Sequence, residues 1–169
     1  AQVGGIRVHA RARNGGFIAA CNEGAALARG DYLVFLNNDT VPQPGWLDAL
    51  LGTFDQHPGT GLAGAKLVYP DGRLQEAGGV VFADGSGWNY GRNDSPDDCR
   101  YACVRAADYC SGAAIAIPRG LFERLGGFDQ GRADGRLHRR MTGIGNDHIT
   151  RVRPVPDQFV RGDGRAHHV

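Results

Sequence analysis

The feature that most restricts the fold is an uninterrupted apolar run, Tyr32–Leu36, that ends abruptly in the polar residues 37–40. Such a run is typical of a strand that is buried on both faces, as in a parallel sheet. Before it, residues 17–28 carry small apolar side chains at helical spacing, and Gly30 follows where a helix C-terminal cap belongs. Alternation over residues 5–10 predicts an earlier strand. Together these segments predict a βαβ unit with a right-handed crossover.

The end of this run is the first candidate for a binding site. In open α/β sheets, ligands bind beyond the carboxyl ends of the strands. Asn37, Asn38 and Asp39 stand at that end of the predicted strand. An aspartate in this place also serves simply to form the turn after a strand. The pattern alone therefore leaves a ligand-binding and a turn-forming interpretation open.

Beyond residue 40, apolar periodicity predicts further elements as far as residue 129. Helix signals cover 45–54, after two prolines, and 118–125, before a pair of glycines. Strand signals cover 62–69 and 74–82, which are joined by a Pro-Asp-Gly turn. A polar, glycine-rich segment over 83–105 then predicts a long loop, which in a compact domain is usually functional or mobile. This order of elements predicts an α/β fold class.

Composition narrows the class of protein. The 169 residues suffice for one domain, and 41% are hydrophobic and 22% charged, as in ordinary globular proteins. A formal net charge of +1 gives no broad field that favours nucleic acid or an anionic membrane. No apolar run approaches the roughly 18 residues of a membrane span, and no signal-peptide pattern opens the chain. Four scattered cysteines are predicted to be reduced thiols in a cytosolic protein, not a disulfide framework or a zinc site.

Several motifs, in a fixed order, resemble the family-two glycosyltransferases of the inverting GT-A type, in particular a rhamnosyltransferase-like subgroup. They lie at residues 14–17, 20–24, 28–40, 67–72, 75–79, 110–113 and 125–129. The resemblance implies an α/β, Rossmann-like three-layer sandwich that is incomplete at the N-terminus. The family's opening strand and its uridine-recognising aspartate would precede residue 1. Residues 1–129 are thus expected to form a partial GT-A domain, followed by a divergent tail over 130–169.

The family binds a nucleoside diphosphate sugar and a divalent cation, Mg²⁺ or Mn²⁺. Its Asp-x-Asp motif corresponds here to residues 37–39, so the resemblance implies that Asp39 is the metal ligand. An ion of this kind needs oxygen ligands and bridges the diphosphate. The implied nucleotide-sugar-binding residues are Asn14, Gly16, Asn22, Asn37, Asn38 and Asp39. For the first three, ordinary turn and helix-packing roles are an alternative of nearly equal weight.

The resemblance implies the acceptor side of the cleft at Ser111 and Gly112. The flat rings of Trp88 and Tyr90 suit the face of an acceptor sugar, or they can instead clamp their own loop. Glu76, with its neighbour Gln75, either faces the sugar or ends a strand. Asp108 is the acidic residue nearest to the acceptor segment, or a solvated strand end.

The pattern fails after residue 129. There the family continues to a Glu-Asp pair that supplies the general base, which takes the acceptor proton in an inverting transfer. Asp134 lies too near and Asp147 too far along to match, so the catalytic residue is unassigned. Residues 130–169 hold eight arginines and no lysine, lack apolar period, and are predicted to be largely irregular. We hypothesise a reading-frame shift or assembly error, which an uninterrupted frame in an independent clone would exclude; a genuine divergent tail is the alternative.

Two functions follow as expectations. The first is metal-assisted, inverting transfer of a glycosyl group from a nucleotide sugar to a glycan or lipid-linked acceptor, in polysaccharide biosynthesis for the cell envelope. It would take place in the cytoplasm or at the inner face of the membrane, without nucleic acid. The second is an inactive fragment that at most binds nucleotide or a partner chain. A dinucleotide-dependent oxidoreductase lacks its Gly-x-Gly-x-x-Gly motif here, and a sugar nucleotidyltransferase lacks its glycine-rich activation loop.

Overall fold

The structure is a computed structural model that describes residues 5–129 and the backbone of residues 150–153. Its helices are α1 (Gly16–Leu27), α2 (Trp46–Gln56) and α3 (Arg119–Arg124). The strands, in chain order, are β1 (Tyr32–Leu36), β2 (Thr40–Pro42), β3 (Ala63–Gly64), β4 (Lys66–Val68), β5 (Leu74–Glu76), β6 (Gly79–Val81), β7 (Gly87–Asn89), β8 (Ala114–Pro118) and β9 (Thr150–Arg153). A 3-10 turn, Cys99–Tyr101, lies between β7 and β8. The described chain is therefore mixed α/β, as predicted.

β8 is the central strand of the main sheet, which has the order β1-β8-β3. Both neighbours run antiparallel to it, and Tyr32 pairs with Pro118 and Leu36 with Ala114. The first four residues of β8 are buried, which makes this strand the middle of the core. Because the pairing is antiparallel, the residues that follow β1 lie beside those that precede β8.

Helices cover both faces of the main sheet. On one face, Leu33 and Phe122 of α3 share a core cluster against which Ala25 of α1 packs. On the other face, Leu50 of α2 packs with Ala116 of β8. Alternate residues of a strand point to opposite faces, so the continuous apolar run of β1 supplies both clusters. The prediction of a strand covered on both faces, in three layers, is confirmed.

Two smaller sheets complete the described fold. One has the order β2-β9-β4-β5, in which β9 runs parallel to β2 and antiparallel to β4. The other is the hairpin β6-β7, in which Gly79 pairs with Asn89 and Val80 with Trp88. This hairpin is joined to the segment before β8 by the bridge between Gly79 and Tyr109.

The three predicted helices are confirmed, with small shifts in their ends. α2 buries Leu50 and carries Asp48 in its first turn, where a carboxylate interacts favourably with the helix dipole. α3 ends before Gly126 and Gly127, whose φ angles of +78° and +81° are those of a left-handed glycine cap. At α1 the predicted cap is wrong. Ala28 ends that helix in an extended conformation, so no left-handed residue is needed at Gly30.

The predicted strand over residues 5–10 is also wrong, and with it the βαβ unit. Residues 6–10 have no strand structure, and Ile6 and Val8 are 66% and 88% exposed. Alternation makes a strand only where a neighbouring edge pairs with it and a core accepts its apolar face. β1 pairs antiparallel with β8, and within the described ranges no strand pairs with its other edge.

The predicted strand over 62–69 divides between two sheets. β3 pairs with β8, β4 pairs with β5, and Ala65 between them donates its N–H to the Ala114 carbonyl. The next predicted strand, over 74–82, breaks as expected at the glycine pair, where Gly78 has a φ of +83°. The turn between the two is confirmed by hydrogen bonds from Gly72 N to Tyr69 O and from Tyr69 N to Arg73 O.

The polar segment over 83–105 is more ordered than a loop prediction suggests. It contains β7 and the 3-10 turn, and Tyr101 is buried against Val68 and Leu74. Lys66, itself buried, donates a hydrogen bond from Nζ to the Pro96 carbonyl at 2.9 Å. These contacts attach the segment to β4 and β5.

Within the tail expected to be irregular, residues 150–153 form β9 between β2 and β4. Residues 130–149 and 154–169 lie outside the described residues, so the irregular tail and the frame-shift hypothesis stay predictions. Along the described chain, no helix combines the length and the apolar character that crossing a membrane requires.

Candidate functional site

A tight turn connects β1 to β2 and presents the predicted metal ligand. Thr40 donates to the Asn37 carbonyl both from its N–H, at 3.3 Å, and from its hydroxyl, at 2.7 Å. Asn38 and Asp39 are therefore the two central residues of a β-turn. Asn38 is exposed and Asp39 is half-buried. The turn-forming role is thus real, and it leaves both side chains available at the carboxyl end of β1.

The predicted acceptor segment lies directly beside this turn. Asn37 N–H donates to the Ala113 carbonyl at 2.9 Å, which extends the β1-β8 ladder by one pair. Gly112 then lies against α1, since a Cβ at this glycine would be 3.5 Å from Cζ of Phe17. The start of α1, the end of β1 and the approach to β8 therefore meet at one edge of the main sheet.

Two of the predicted nucleotide-binding residues lie at the exposed beginning of α1. Asn14 Oδ1 accepts the Gly16 N–H at 2.9 Å, and Gly16 has a φ of +77° with open space around its Cα. A non-glycine residue is strained at this φ, so Gly16 has a backbone reason as well as the one predicted. Both residues are exposed, on the element whose Phe17 contacts Gly112.

Asn22, by contrast, is engaged with the far end of the domain. Its Nδ2 donates to the Phe128 carbonyl at 2.8 Å, and its Oδ1 accepts the Phe128 N–H at 2.9 Å. A Cβ at Gly127 would lie 2.8 Å from Asn22 Oδ1, so the glycine permits this close approach. The observed contacts are those of the packing alternative, which joins α1 to the segment after α3; contact with a nucleotide stays a prediction.

Glu76, whose role the sequence left undecided, is the most deeply buried acidic residue of the described chain, at 1% exposure. Its Oε1 accepts the Ser111 N–H at 2.8 Å. Burial raises the pKa of this carboxyl from 4.5 to about 7, against the opposing effect of that hydrogen bond. Glu76 thus holds the backbone of the predicted acceptor segment at Ser111. The only sequence signal for it was its place in the 75–79 motif.

The aromatic residues of the loop have different surroundings. Trp88 is 57% exposed on β7, and alternation places it on the hairpin face opposite to the buried Asn89. Tyr90 packs edge-on against Tyr101 at 5.3 Å, and the Arg105 guanidinium lies 4.1 Å from its ring centroid. Tyr90 therefore clamps the loop, whereas Trp88 has a ring surface free for a ligand, and its contact with an acceptor stays a prediction.

The donor atoms around Asp39 suit only one kind of metal binding. Across residues 5–129, no three His, Cys, Asp or Glu side chains lie together as ligands for an ion. Mg²⁺ is commonly held by one or two carboxylates, by waters and by the phosphates of a substrate. The carboxylate of Asp39 and the amides of Asn37 and Asn38 fit an ion that is shared with a substrate in this way. They are too few to hold an ion with protein ligands alone.

Two further features lie near the site without belonging to it. An apolar cleft between α1 and the open edge of β1 is lined by residues such as Cys21, Ala25 and Leu33, which offer no charge to a diphosphate. The four cysteines are free thiols, as predicted. Burial, with the charge of Glu76, raises the pKa of Cys110 to about 11, so its thiol is not a nucleophile at neutral pH.

The family is shown by comparison with known proteins. The family model described as Glycosyl transferase family 2 matches residues 1–95, which is more than half of the chain. The chain therefore belongs to glycosyl transferase family 2, as its motifs predicted, and its fold class is that of the GT-A nucleotide-sugar transferases. The family model does not distinguish a rhamnosyltransferase-like subgroup, so that finer assignment stays a prediction.

Three curated proteins illustrate the similarity. The uncharacterized protein y4gI of Sinorhizobium fredii is 34% identical over 131 residues, which cover 74% of this chain and 14% of that protein. The O-antigen biosynthesis protein RfbC of Myxococcus xanthus is 36% identical over 115 residues, which cover 64% of this chain and 9% of that protein. A glucosyl-dolichyl phosphate glucuronosyltransferase of Haloferax volcanii is 24% identical over 124 residues, 73% of this chain and 38% of its own length. The chain thus spans well under half of each of these relatives. No solved structure matches it.

Proposed function

We propose that this chain takes part in transferring a glycosyl group from a nucleotide diphosphate sugar to a hydroxyl of a glycan or lipid-linked acceptor, with inversion at the anomeric carbon. The observation that carries the proposal is the meeting of three predicted segments at one edge of the main sheet. Gly16 and Phe17 open α1, Asn37–Asp39 follow β1, and Ser111 and Gly112 precede β8. Family membership supplies the reaction class.

On the donor side, Asp39 would hold Mg²⁺ or Mn²⁺ together with the diphosphate. Such an ion, when bound, stabilises negative charge on the departing nucleotide. Asn37 and Asn38 would offer amide groups to ribose or phosphate, and the exposed beginning of α1 lies where an anion is favoured. These roles agree with the exposure of Asn38 and the half-burial of Asp39.

On the acceptor side, Ser111 and Gly112 would position the attacking hydroxyl. Glu76 accepts the Ser111 N–H, Phe17 lies next to Gly112, and Asn37 donates to the carbonyl of the next residue, Ala113. An inverting transfer also needs a base for the hydroxyl proton. None is assigned, because Asp134 lies too near and Asp147 too far along the chain to match the family's spacing.

The biological setting is proposed from the relatives. One of them is named for O-antigen biosynthesis and another for transfer to a dolichyl phosphate-linked sugar. We propose an analogous role in the synthesis of a cell-envelope polysaccharide, in the cytoplasm or at the inner face of the membrane. A rhamnosyl donor is a further prediction, made from the motifs alone.

Calorimetric titration with UDP and dTDP, with and without Mn²⁺, tests the donor half of the proposal. We expect binding that requires the metal and that falls at least tenfold in Asp39→Asn, a change that keeps the size and turn-forming ability of the side chain. Asp55→Asn, at an exposed position on α2, is the matched control and should bind as the wild type does. A folded wild type that binds neither nucleotide would refute the proposal and favour an inactive fragment.

A further inference from the structure

A continuous series of hydrogen bonds joins the buried carboxyl of Glu76 to the turn over residues 37–40. Oε1 of Glu76 accepts the Ser111 N–H at 2.8 Å, and Oγ of Ser111 accepts the Ala113 N–H at 3.3 Å. The Ala113 carbonyl then accepts the Asn37 N–H at 2.9 Å. Asn37 is the first residue of the turn and closes it through its own carbonyl. The series therefore connects the predicted acceptor segment with the predicted metal-binding turn.

The same series joins two sheets of the fold. Glu76 is the last residue of β5, in the sheet β2-β9-β4-β5, whereas Ser111 and Ala113 lead into β8, the central strand of the main sheet. The bond between Glu76 and Ser111 spans 35 residues of the chain. A change in the strength of this bond therefore changes how the two sheets meet, at the edge where the candidate site lies.

Glu76 is an unfavourable side chain for a purely structural role. It is 1% exposed, and its Oε2 has no hydrogen-bond partner within the described part of the chain. A buried polar atom without a partner costs free energy, and burial raises the pKa of this carboxyl to about 7. An apolar side chain would carry neither penalty. Ionisable groups that are perturbed in this way cluster at functional sites.

The side chains around Glu76 leave its carboxyl free to titrate near neutral pH. Titratable or charged side chains on the neighbouring elements include Lys66, Arg105, Asp108, Tyr109 and Cys110. Lys66 and Arg105 donate to backbone carbonyls, and the exposed Asp108 accepts a backbone N–H. Burial, with the charge of Glu76, raises the pKa of Tyr109 and raises that of Cys110 to about 11. Glu76 therefore changes its charge near neutral pH while Tyr109 and Cys110 stay neutral.

We propose that Glu76 is a positioning residue, which through this series of hydrogen bonds sets the placement of the Asp39 turn against the Ser111–Gly112 segment. An ionised carboxyl accepts a stronger hydrogen bond from the Ser111 N–H than a protonated one does, so the contact strengthens as Glu76 loses its proton. The turn is then held in the geometry that binds metal and nucleotide. This last consequence rests on the proposed glycosyl transfer, whereas the positioning rests on the hydrogen bonds alone.

Three variants separate positioning from a general contribution to stability. Glu76→Gln keeps an oxygen that accepts the Ser111 N–H, but its side chain cannot change its charge. Glu76→Leu has a similar size and removes the acceptor. Leu50→Val removes one methylene group from the buried cluster between α2 and β8, and it is the matched control for lost stability because Leu50 takes no part in the series.

The first test follows the amide resonances of nitrogen-15-labelled protein by NMR as the pH is changed across neutrality. We expect the N–H resonances of Ser111, Ala113 and Asn37 to shift with one common midpoint at about pH 7 in the wild type, and not in Glu76→Gln. The Ala65 N–H is the matched control, since it donates to the carbonyl of the residue after Ala113 and lies outside the series. A titration of Ser111 that does not reach Asn37, or an equal shift at Ala65, overturns the proposal.

The second test is calorimetric titration with UDP and Mn²⁺ at neutral pH. We expect the Kd to rise by about fivefold or more in Glu76→Leu, from the lower end of typical coupling between two sites, and to return to the wild-type value in Glu76→Gln. Leu50→Val should bind as the wild type does. An unchanged Kd in folded Glu76→Leu, or an equal rise in Leu50→Val, overturns the proposal. If Glu76→Leu does not fold, the first test decides between the outcomes with the wild type and Glu76→Gln.

Together the two tests distinguish this proposal from the proposed function. Joint titration of the three amides without any binding of UDP would support positioning by Glu76 and refute the proposed transfer. Metal-dependent binding of UDP without joint titration would overturn this inference and leave the transferase proposal in place.

Discussion

The turn after β1 and the region around Glu76 are two polar parts of the candidate site with opposite physical character. The turn over residues 37–40 closes its own hydrogen bonds within four residues, and its side chains face solvent or are half-buried. Glu76 and Asn89 are buried, and the hydrogen bond from Ser111 to Glu76 spans 35 residues. Substitutions at the turn should therefore change binding with little change in stability, whereas substitutions around Glu76 should change both.

The largest expected effect is at Gly79, where any side chain meets the Tyr109 ring. Gly79→Ala should lower the free energy of unfolding by about 3 kcal/mol, because a Cβ there overlaps a packed ring. Gly52→Ala on α2 is the matched control. Its nearest neighbour, the flexible Gln56 amide, lies at 3.6 Å, so the change should stabilise the chain by about 0.5–1 kcal/mol. Urea denaturation measures both, and an equal effect at the two glycines would show that the Tyr109 ring is not tightly packed.

The next largest effect is expected from Glu76, whose titration should make the free energy of unfolding depend on pH. Because burial raises its folded-state pKa from 4.5 to about 7, the folded chain keeps a proton that the unfolded chain releases. Stability from this group is therefore fully present below the unfolded pKa and is lost as the pH rises through about 7.

Glu76→Gln should remove this loss of folding stability at high pH. Each unit of pKa shift corresponds to about 1.4 kcal/mol, and the buried amide that replaces Oε2 offsets part of the gain. We expect the variant to be more stable than the wild type by about 2 kcal/mol near pH 8 and nearly equal near pH 4. Urea denaturation at both pH values checks this, with Glu123→Gln as the control. A difference that does not depend on pH would contradict the raised pKa.

A smaller effect is expected at Asn22, whose amide holds the Phe128 backbone. Asn22→Ala removes two hydrogen bonds and should lower the free energy of unfolding by about 1–2 kcal/mol. Asn14→Ala, in the exposed turn before α1, should cost about 0.5 kcal/mol. Thermal unfolding of the two variants compares them directly. An equal loss at Asn14 would show that the exposed beginning of α1 contributes more to stability than its contacts indicate.

The smallest effect on stability is expected at Asp39. Asp39→Asn should change the free energy of unfolding by no more than about 0.5 kcal/mol, because the turn is closed by Thr40 and Asn37 through backbone and hydroxyl groups. The Asp39→Asn variant should nevertheless lose the metal-dependent binding of nucleotide. A large loss of stability would mean that the carboxylate acts mainly in forming the turn.

The sequence predicted those parts of the candidate site whose structure depends on neighbouring residues in the chain. The turn over 37–40 and the helix that begins at Gly16 depend on residues close together in the chain, and both stand where they were expected. The role of Asn22 could not be read from its surroundings, because its partner Phe128 lies 106 residues away. The burial of Glu76 and of Asn89 could likewise not be read from the sequence, since it depends on how distant segments pack together.

By itself, the sequence determined the three helices, the apolar strand Tyr32–Leu36 and the family, because periodicity, glycine caps and ordered motifs are properties of short stretches of chain. Only the tertiary structure decided which edges pair. It left residues 6–10 without a strand, ran β1 antiparallel to β8 and divided residues 62–69 between two sheets. The reason is physical: a strand gains its hydrogen bonds and its burial from a partner that can be anywhere in the chain, whereas a helix closes its hydrogen bonds within itself.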